Sequence, residues 1–191
     1  MDYTIVAIIS YFCGSVPFGL LLTKIILKKD IRQIGSGNIG ATNVLRSGNK
    51  LVGYLTLLLD VSKAIIPIIY IKYNYPELIF ICSLCVFLGH LFPVWLKFKG
   101  GKGVATYLGI LISINFYLAL IFGLVWILIF LISKYSSLSS LFGSITVPIY
   151  IFLINEKNVF FYIIMFVLIF YSHRQNIKRL INKEEIKTKI Y

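Results

Sequence analysis

Charged residues, and acidic ones above all, are scarce in this sequence. Only 14% of its 191 residues are charged, where an average globular chain has about 25%, and 59% are hydrophobic. Asp and Glu together number 7, against 19 Lys and Arg. A composition this poor in charge excludes a soluble globular domain and indicates a membrane protein of a bacterium or an organelle.

Histidine and cysteine are also rare, which excludes several catalytic designs. Cys82 and Cys85 have C-x-x-C spacing, but no second pair or nearby histidine completes a zinc site, and we interpret them, with Cys13, as packing residues. Neither His90 nor His173 has an acid five residues on, which excludes the His-x4-Asp pair of soluble-type acyltransferases. The polar segments also hold too few acids for a Ser-His-acid triad.

Long apolar runs are abundant, and short polar segments separate them. The run from about 3 to 27 is long enough to span a membrane and lacks the basic start of a signal peptide. Pro17 within it predicts a kink or close packing between helices. The segment around Pro17 is either a helix-packing face of small residues or a part of the chain that shapes the functional site. The run 51–71 contains Asp60 and Lys63, which we interpret as an internal ion pair or as the wall of a polar pocket.

The remaining runs determine how often the chain crosses the membrane. A third span is predicted at 78–96. The run 104–132 would extend about 43 Å as one helix, too long for one crossing and short for two, and residues 113–116 allow a turn within it. The runs 141–154 and 159–171 are typical of a helical hairpin.

Basic residues concentrate in three segments, 28–50, 97–102 and the tail from 172. The positive-inside rule places all three in the cytoplasm, which requires the run 104–132 to cross twice, whereas a six-span count would separate the lysine-bearing segment from the tail. We therefore predict an all-α integral membrane protein with seven transmembrane helices, some short, with the N-terminus outside and the C-terminus cytoplasmic. We expect one domain over residues 1–191, the lipid bilayer as a partner and no nucleic acid.

Two polar, glycine-dense segments join these runs. The glycine loop, residues 35–46, reads GSGNIGATNVLR, and the lysine loop, residues 97–103, reads KFKGGKG. Glycine lets a backbone turn and approach a ligand closely, and its N–H groups then form anion-binding nests. Arg46 suits a bidentate phosphate contact and Lys102 a point-charge contact. A Walker loop is excluded because Gly103 follows Lys102, so an anionic phosphate ester is the predicted ligand.

A site with many cationic donors and no evident general base suits a substrate that already carries a phosphate leaving group. An acyl phosphate fits, because its phosphate oxygens can accept the proton of an attacking hydroxyl. A transporter for a phosphorylated solute is the rival class, but no convincing repeat is present and the polar loops are predicted to lie at one membrane face. A purely structural subunit leaves both loops unexplained.

Three stretches of the chain resemble the PlsY family: 35–43 (GSGNIGATN), 89–106 (GHLFP through FKGGKGVAT) and 173–180 (HRQNIKRL). The similarity covers nearly the whole chain. The chain departs from the family pattern at 182–185, which replaces a Gly-Thr-Glu-like segment, and at Ala64, which stands in place of a glycine. PlsY enzymes are bacterial acyl-phosphate:glycerol-3-phosphate acyltransferases, and the family implies a seven-span fold.

The resemblance implies transfer of a fatty acyl group from acyl phosphate to the 1-hydroxyl of glycerol 3-phosphate, giving lysophosphatidate and inorganic phosphate. This is the first acylation step of phospholipid synthesis, and the family needs no metal or other cofactor. The family also implies a bacterial cytoplasmic (inner) membrane location, with the active site at the cytoplasmic face. A functional link to an acyl-carrier-protein:phosphate acyltransferase is expected on the same ground.

Site residues follow from the resemblance by position. The expected catalytic residues are Lys102, His173 and Asn176. The family's phosphate-binding roles fall on Ser36, Asn38, Arg46, Lys102, His173 and Asn176. The expected substrate-binding residues are Ser36, Gly37, Asn38, Thr42, Asn43, Arg46, His90, Gly100, Gly101, Gly103, Ser137, Ser139 and Arg179.

Four of these residues have a second interpretation that involves no substrate. His90 beside the lysine loop can serve only to hold that loop by hydrogen bonding. His173 can be an interfacial residue at a helix end. Ser137 and Ser139 can be helix caps rather than substrate-facing groups.

Overall fold

The computed structural model describes residues 2–188, and within them the chain is α-helical without a strand, which confirms the predicted all-α class. The helices are α1 (Tyr3–Ser15), α2 (Phe18–Ile26), α3 (Ala41–Arg46), α4 (Lys50–Asn74), α5 (Ile79–Leu91), α6 (Val104–Ile114), α7 (Phe116–Ser133), α8 (Ser136–Leu153), α9 (Val159–Ser172) and α10 (Arg174–Ile181).

Five helical segments within the described range are long and apolar enough to cross a membrane. They are Tyr3–Ile26, Lys50–Asn74, Pro76–Leu96, Phe116–Ser133 and Ser136–Leu153. Two further helices, α6 and α9, are apolar but shorter. The count of seven spans therefore stays a prediction.

The helices form two compact units, the first ending at Ile114 and the second beginning at Asn115. In the first unit, α1 packs along α5, and α4 packs against α6. Helices α1 and α5 approach closely because a small residue lies between them: a Cβ on Gly14 would overlap the backbone of Val86. In the second unit, α8 packs against both α7 and α9. The single domain expected from the sequence stays a prediction.

The first apolar run is broken at Pro17, as the sequence predicts. Helix α1 ends at Ser15 and α2 begins at Phe18, because proline cannot donate the hydrogen bond that would continue α1. The break leaves the carbonyl of Val16 without a helical partner, and the ammonium of Lys63 on α4 donates to it at 2.9 Å. Lys63 also lies 2.7 Å from the Asp60 carboxylate, so the ion-pair interpretation of these two charges is confirmed.

The long run 104–132 is divided at Asn115, which confirms the turn predicted there. The side chain of Asn115 accepts a hydrogen bond from the Tyr117 backbone N–H at 2.9 Å and so caps the start of α7. At the end of α6, the carbonyls of Ser113 and Ile114 accept hydrogen bonds from the Lys72 ammonium at 2.7 and 3.3 Å. These contacts satisfy backbone groups that a bilayer would otherwise leave unpaired.

A small hydrophobic cluster supports both polar loops of the first unit. Buried side chains of the glycine loop and of the helices beside it pack together, and Leu96, just before the lysine loop, packs against them. The two loops therefore lie at the same end of this unit. The buried members of the cluster are Leu20, Ile31, Ile39, Val44 and Val52.

Candidate active site

One buried side chain, Asn43, organises the glycine loop. Its amide oxygen accepts a hydrogen bond from the backbone N–H of Ser36 at 2.9 Å, and its amide nitrogen donates to the carbonyls of Ile34 at 2.9 Å and Asn38 at 2.8 Å. Gly35 has φ +57°, and a Cβ on it would overlap the Asn43 amide oxygen, so this turn requires glycine. The structure thus gives Asn43, expected to bind substrate, a role inside the loop.

The predicted substrate residues of the glycine loop lie around this turn. Ser36 and Asn38 are half-buried, and the Asn38 side chain accepts a hydrogen bond from the Gly40 N–H at 2.9 Å where α3 begins. Arg46 ends α3, and its stem lies beside Gly35. The structure therefore brings the predicted hydroxyl, amide and guanidinium groups together on one short turn and helix. Gly37, at φ +73°, and Thr42, in the first turn of α3, complete this group.

Asp30, the acid that precedes the glycine loop in the sequence, forms an ion pair. The carboxylate of Asp30 lies 2.6 Å from the guanidinium of Arg32, and the Asp30 side chain also accepts a hydrogen bond from the Arg32 backbone N–H. The hydrogen bond from the Arg32 side chain is the main reason that the pKa of Asp30 falls to about 2. Asp30 is therefore ionised and paired at neutral pH and is unsuited to act as a general base.

In the lysine loop, two predicted phosphate-binding glycines already have backbone partners. The N–H of Gly100 donates to the carbonyl of Leu91 at 3.0 Å, and the N–H of Gly101 donates to the carbonyl of His90 at 3.1 Å. A Cβ on Gly101 would overlap the buried His90 ring. His90 therefore holds the loop in place, which is one of its two interpretations, and glycine is required at 101 for that contact. Gly103, at φ +81°, leaves room for a neighbouring aromatic ring.

A buried chain of polar contacts connects the lysine loop to the break in the first span. The His90 Nδ1 lies 3.9 Å from the Asp60 carboxylate, Asp60 pairs with Lys63, and Lys63 donates to the Val16 carbonyl. All three side chains are at most 6% exposed. Lys102 itself is half-buried and lies two residues before the start of α6, directly after Gly101.

In the second unit, three predicted site residues converge on an acid that the sequence analysis did not assign. The Glu185 carboxylate accepts hydrogen bonds from the Ser137 hydroxyl at 2.9 Å, the Asn176 amide at 2.7 Å and the Arg179 guanidinium at 2.7 Å. The segment carrying Glu185 is fixed by a backbone hydrogen bond from Thr188 to the Lys134 carbonyl at 2.9 Å. The tail that departs from the family pattern is therefore packed into this cluster.

The Glu185 carboxylate remains charged at neutral pH. Its burial raises the pKa, but the hydrogen bonds from Arg179, Asn176 and Ser137 outweigh that effect and hold the pKa below its usual value. A carboxylate that accepts three hydrogen bonds is a weak proton acceptor. Glu185 is accordingly a positioning group for its partners and not a general base.

Two other predicted residues of the second unit are oriented by their own helices. The Nδ1 of His173 lies 2.9 Å from the carbonyl of Ile169, so this nitrogen donates a hydrogen bond to it and the ring orientation is fixed by α9. His173 is 1% exposed and lies between α9 and α10, so it is a buried residue at a helix end. The Ser139 hydroxyl donates to the Tyr135 carbonyl at 2.9 Å, as helix-interior serines commonly do.

Sequence reasoning missed Glu185 and left the purpose of Asp60 and Lys63 open. The only feature of the sequence that distinguishes Glu185 is that it is an acidic residue in a mainly basic tail. Its partners Ser137 and Asn176 lie 48 and 9 residues away in the chain, and no spacing rule links such positions.

Known proteins are similar to this chain in sequence and in fold. A family model described as glycerol-3-phosphate acyltransferase matches residues 4–183. A glycerol-3-phosphate acyltransferase of Pelagibacter ubique (strain HTCC1062) is 68% identical over 191 residues, which is 100% of both chains. The crystal structure of PlsY, an integral membrane glycerol 3-phosphate acyltransferase, in its glycerol 3-phosphate form has a TM-score of 0.91 at 37% identity, covering 98% of this chain and 96% of that one. Its lysophosphatidic acid form has a TM-score of 0.87 at 37% identity, covering 97% and 94%.

Proposed function

The chain belongs to the glycerol-3-phosphate acyltransferase family, that of PlsY, and from this premise we propose that its acyl donor is a fatty acyl phosphate. It is an acyltransferase of phospholipid synthesis and a multi-pass membrane protein. In the proposed reaction, the 1-hydroxyl oxygen of glycerol 3-phosphate attacks the acyl carbon and the bond from that carbon to the phosphate oxygen breaks. The products are lysophosphatidate and inorganic phosphate.

The observation that carries this proposal is the glycine loop, in which Asn43 holds the turn bearing Ser36 and Asn38, and Arg46 ends the short helix α3 that follows. Hydroxyl, amide and guanidinium donors in one place suit a phosphate ester. The lysine loop adds Lys102 at the same end of the unit. Both loops combine donors for phosphate oxygens with backbone that only glycine permits.

The choice of donor is supported by how the acids are used. Asp30 is paired with Arg32, Asp60 with Lys63, and Glu185 accepts three hydrogen bonds. None of these three carboxylates is suited to take the proton of the attacking hydroxyl. With an acyl phosphate, an oxygen of the donor's phosphate group accepts that proton, and the phosphate group then leaves as inorganic phosphate. The proton is therefore accounted for without a protein base.

Different residues are assigned to the acyl donor and to the acceptor. We propose that Lys102 holds the donor phosphate, with the backbone of the lysine loop beside it. Ser36 and Arg46 position the phosphate of glycerol 3-phosphate. His173 and Asn176 are also proposed to contact glycerol 3-phosphate.

The topology in the membrane is part of the proposal. Seven crossings are supported by five long apolar segments together with the shorter apolar helices α6 and α9. With the N-terminus outside, the basic segments and the C-terminus face the cytoplasm, and so does the active site. We propose that the chain works as one domain in the bacterial inner membrane, supplied with acyl phosphate by an acyl-carrier-protein:phosphate acyltransferase.

The test separates chemistry from transport. Protein reconstituted in vesicles receives palmitoyl phosphate and radiolabelled glycerol 3-phosphate, and the label is followed into the organic phase. The proposal expects a new lipid that carries the label. Label retained unchanged inside the vesicles, with no lipid formed, would favour a transporter and overturn the proposal.

A further inference from the structure

Two helices, α4 and α2, support the glycine loop. A Cβ on Gly53 of α4 would overlap the Leu45 side chain, so α3 lies directly on α4. Helix α2 packs against the same loop, because a Cβ on Gly19 would overlap the Ile39 carbonyl. The position of the glycine loop therefore depends on how α2 and α4 are held together.

Lys63 of α4 connects this helix to the start of α2. Its ammonium donates to the Val16 carbonyl at 2.9 Å, in the break that precedes α2. The same ammonium lies 5.7 Å from the centre of the ring of Phe18, the first residue of α2. One turn earlier on α4, the Asp60 carboxylate lies 2.7 Å from this ammonium.

Asp60 also faces the residue that holds the lysine loop. The carboxylate oxygen that contacts Lys63 lies 3.9 Å from the Nδ1 of His90, which is longer than a hydrogen bond but within electrostatic range in a buried site. The His90 carbonyl accepts the Gly101 N–H at 3.1 Å, and the His90 ring lies against Gly101. The two charges of α4 are therefore in contact with the supports of both loops.

Stability alone does not account for two buried charges at this place. A buried charge that loses its partner is costly, but apolar residues of similar volume in place of both charges are often neutral or stabilising. In a membrane-spanning helix each charge also opposes insertion. The contacts of the pair with both loop supports give a reason for its presence that stability does not.

We infer that the Asp60–Lys63 pair sets the position of the glycine loop relative to the lysine loop, and so holds acceptor and acyl donor at the separation that transfer requires. Asp60 and Lys63 are positioning residues in this assignment and touch neither substrate. The inference rests on the proposed function, which assigns the donor phosphate to the lysine loop and the acceptor to the glycine loop.

Loss of the pair should slow the chemical step and leave the binding of each substrate intact. Each loop keeps hydrogen bonds of its own, those of Asn43 in the glycine loop and that of the Gly100 N–H to the Leu91 carbonyl in the lysine loop. A misplacement of reacting groups by about 1 Å can lower a rate by about 100-fold. A pair with only a structural role would change the unfolding temperature and not the turnover of the folded protein.

The double variant Asp60→Asn/Lys63→Met tests this inference, because it removes both charges and leaves neither unpaired. We expect kcat per folded molecule to fall by about 10- to 100-fold, with glycerol 3-phosphate binding and the KM for palmitoyl phosphate within about twofold of the parent. Lys72→Met is the matched control and should leave kcat unchanged. Lys72 is also on α4 and donates to the Ser113 and Ile114 carbonyls, at the end of α6 opposite the lysine loop.

Three results would overturn the inference. They are an unchanged kcat of the folded double variant, an equal loss of kcat in Lys72→Met, and a weakening of glycerol 3-phosphate binding as large as the loss of kcat, which would make the pair part of the substrate site. If the double variant does not fold, Asp60→Asn keeps an acceptor for Lys63 and is measured in the same way; a selective fall in kcat is again expected, and an unchanged kcat would refute the inference. Failure of the unmutated protein to form lysophosphatidate from palmitoyl phosphate and glycerol 3-phosphate would instead refute the proposed function.

Discussion

At the scale of single residues, glycine and asparagine in the two loops are explained by packing as much as by ligand binding. Both the oxygen and the nitrogen of the Asn43 side-chain amide form hydrogen bonds with the backbone around the glycine loop. Gly101 lacks a side chain because His90 occupies that space. Such residues shape the loops that carry Arg46 and Lys102.

Substitution of Gly101 by alanine should therefore disrupt the lysine loop. The new methyl group would overlap the buried His90 ring, and such overpacking typically costs about 1–3 kcal/mol. We expect a lower unfolding temperature and reduced transfer activity. Gly123→Ala is the control, because nothing lies near that position in α7 and alanine favours a helix. Equal unfolding temperatures for the two variants would contradict the packing account of Gly101.

Lys102 is the residue whose charge the proposed chemistry needs most. Lys102→Ala should lower kcat/KM by about 100-fold or more, since removal of one preorganised electrostatic contact has effects of that order. Lys99→Ala, an exposed lysine of the same loop, should change it little. Both variants should keep the unfolding temperature of the parent protein. Near-normal turnover by folded Lys102→Ala would remove Lys102 from the catalytic residues.

At the scale of helices, the Asp60–Lys63 pair joins three elements. Lys63 on α4 satisfies both Asp60 and the Val16 carbonyl between α1 and α2, and Asp60 faces His90 on α5. The pair thus compensates for the break that Pro17 introduces. Its energetic value lies in satisfying groups that the interior would otherwise leave unpaired.

Lys63→Met should be strongly destabilising for this reason. It leaves the buried Asp60 carboxylate without its cationic partner and removes one of the two hydrogen bonds to the Val16 carbonyl, a loss of about 3–5 kcal/mol in the free energy of unfolding. Lys24→Met, on the exposed side of α2, should stay within about 0.5 kcal/mol of the parent. Denaturant unfolding in detergent measures both. The double variant Asp60→Asn/Lys63→Met should lose less than the sum of its parts, and strict additivity would argue against a coupled pair.

The sequence predicts most helices correctly because hydrophobic length and proline act locally. The break at Pro17 and the turn before α7 needed only the chain around them. The contacts of Glu185 were not predictable in this way. They depend on a tail that returns to α8 and α10 after a left-handed turn at Lys183, where φ is +61°. Local propensity contains no signal for such a return.

At the scale of the whole molecule, the chain is a membrane acyltransferase of the glycerol-3-phosphate acyltransferase family. Charge distribution argues for seven crossings, and the two short apolar helices α6 and α9 are the ones on which that number depends. Residues that the sequence analysis expects to bind substrate occur in both units. The glycine and lysine loops belong to the first unit, and the Glu185 cluster belongs to the second.

The central claim is that acyl phosphate is the donor and glycerol 3-phosphate the acceptor. The most direct measurement is inorganic phosphate release by the purified protein supplied with palmitoyl phosphate, with and without glycerol 3-phosphate. We predict release that depends on the acceptor and equals the lysophosphatidate formed. The account would be contradicted if folded protein released no inorganic phosphate from palmitoyl phosphate and instead consumed palmitoyl-acyl-carrier protein.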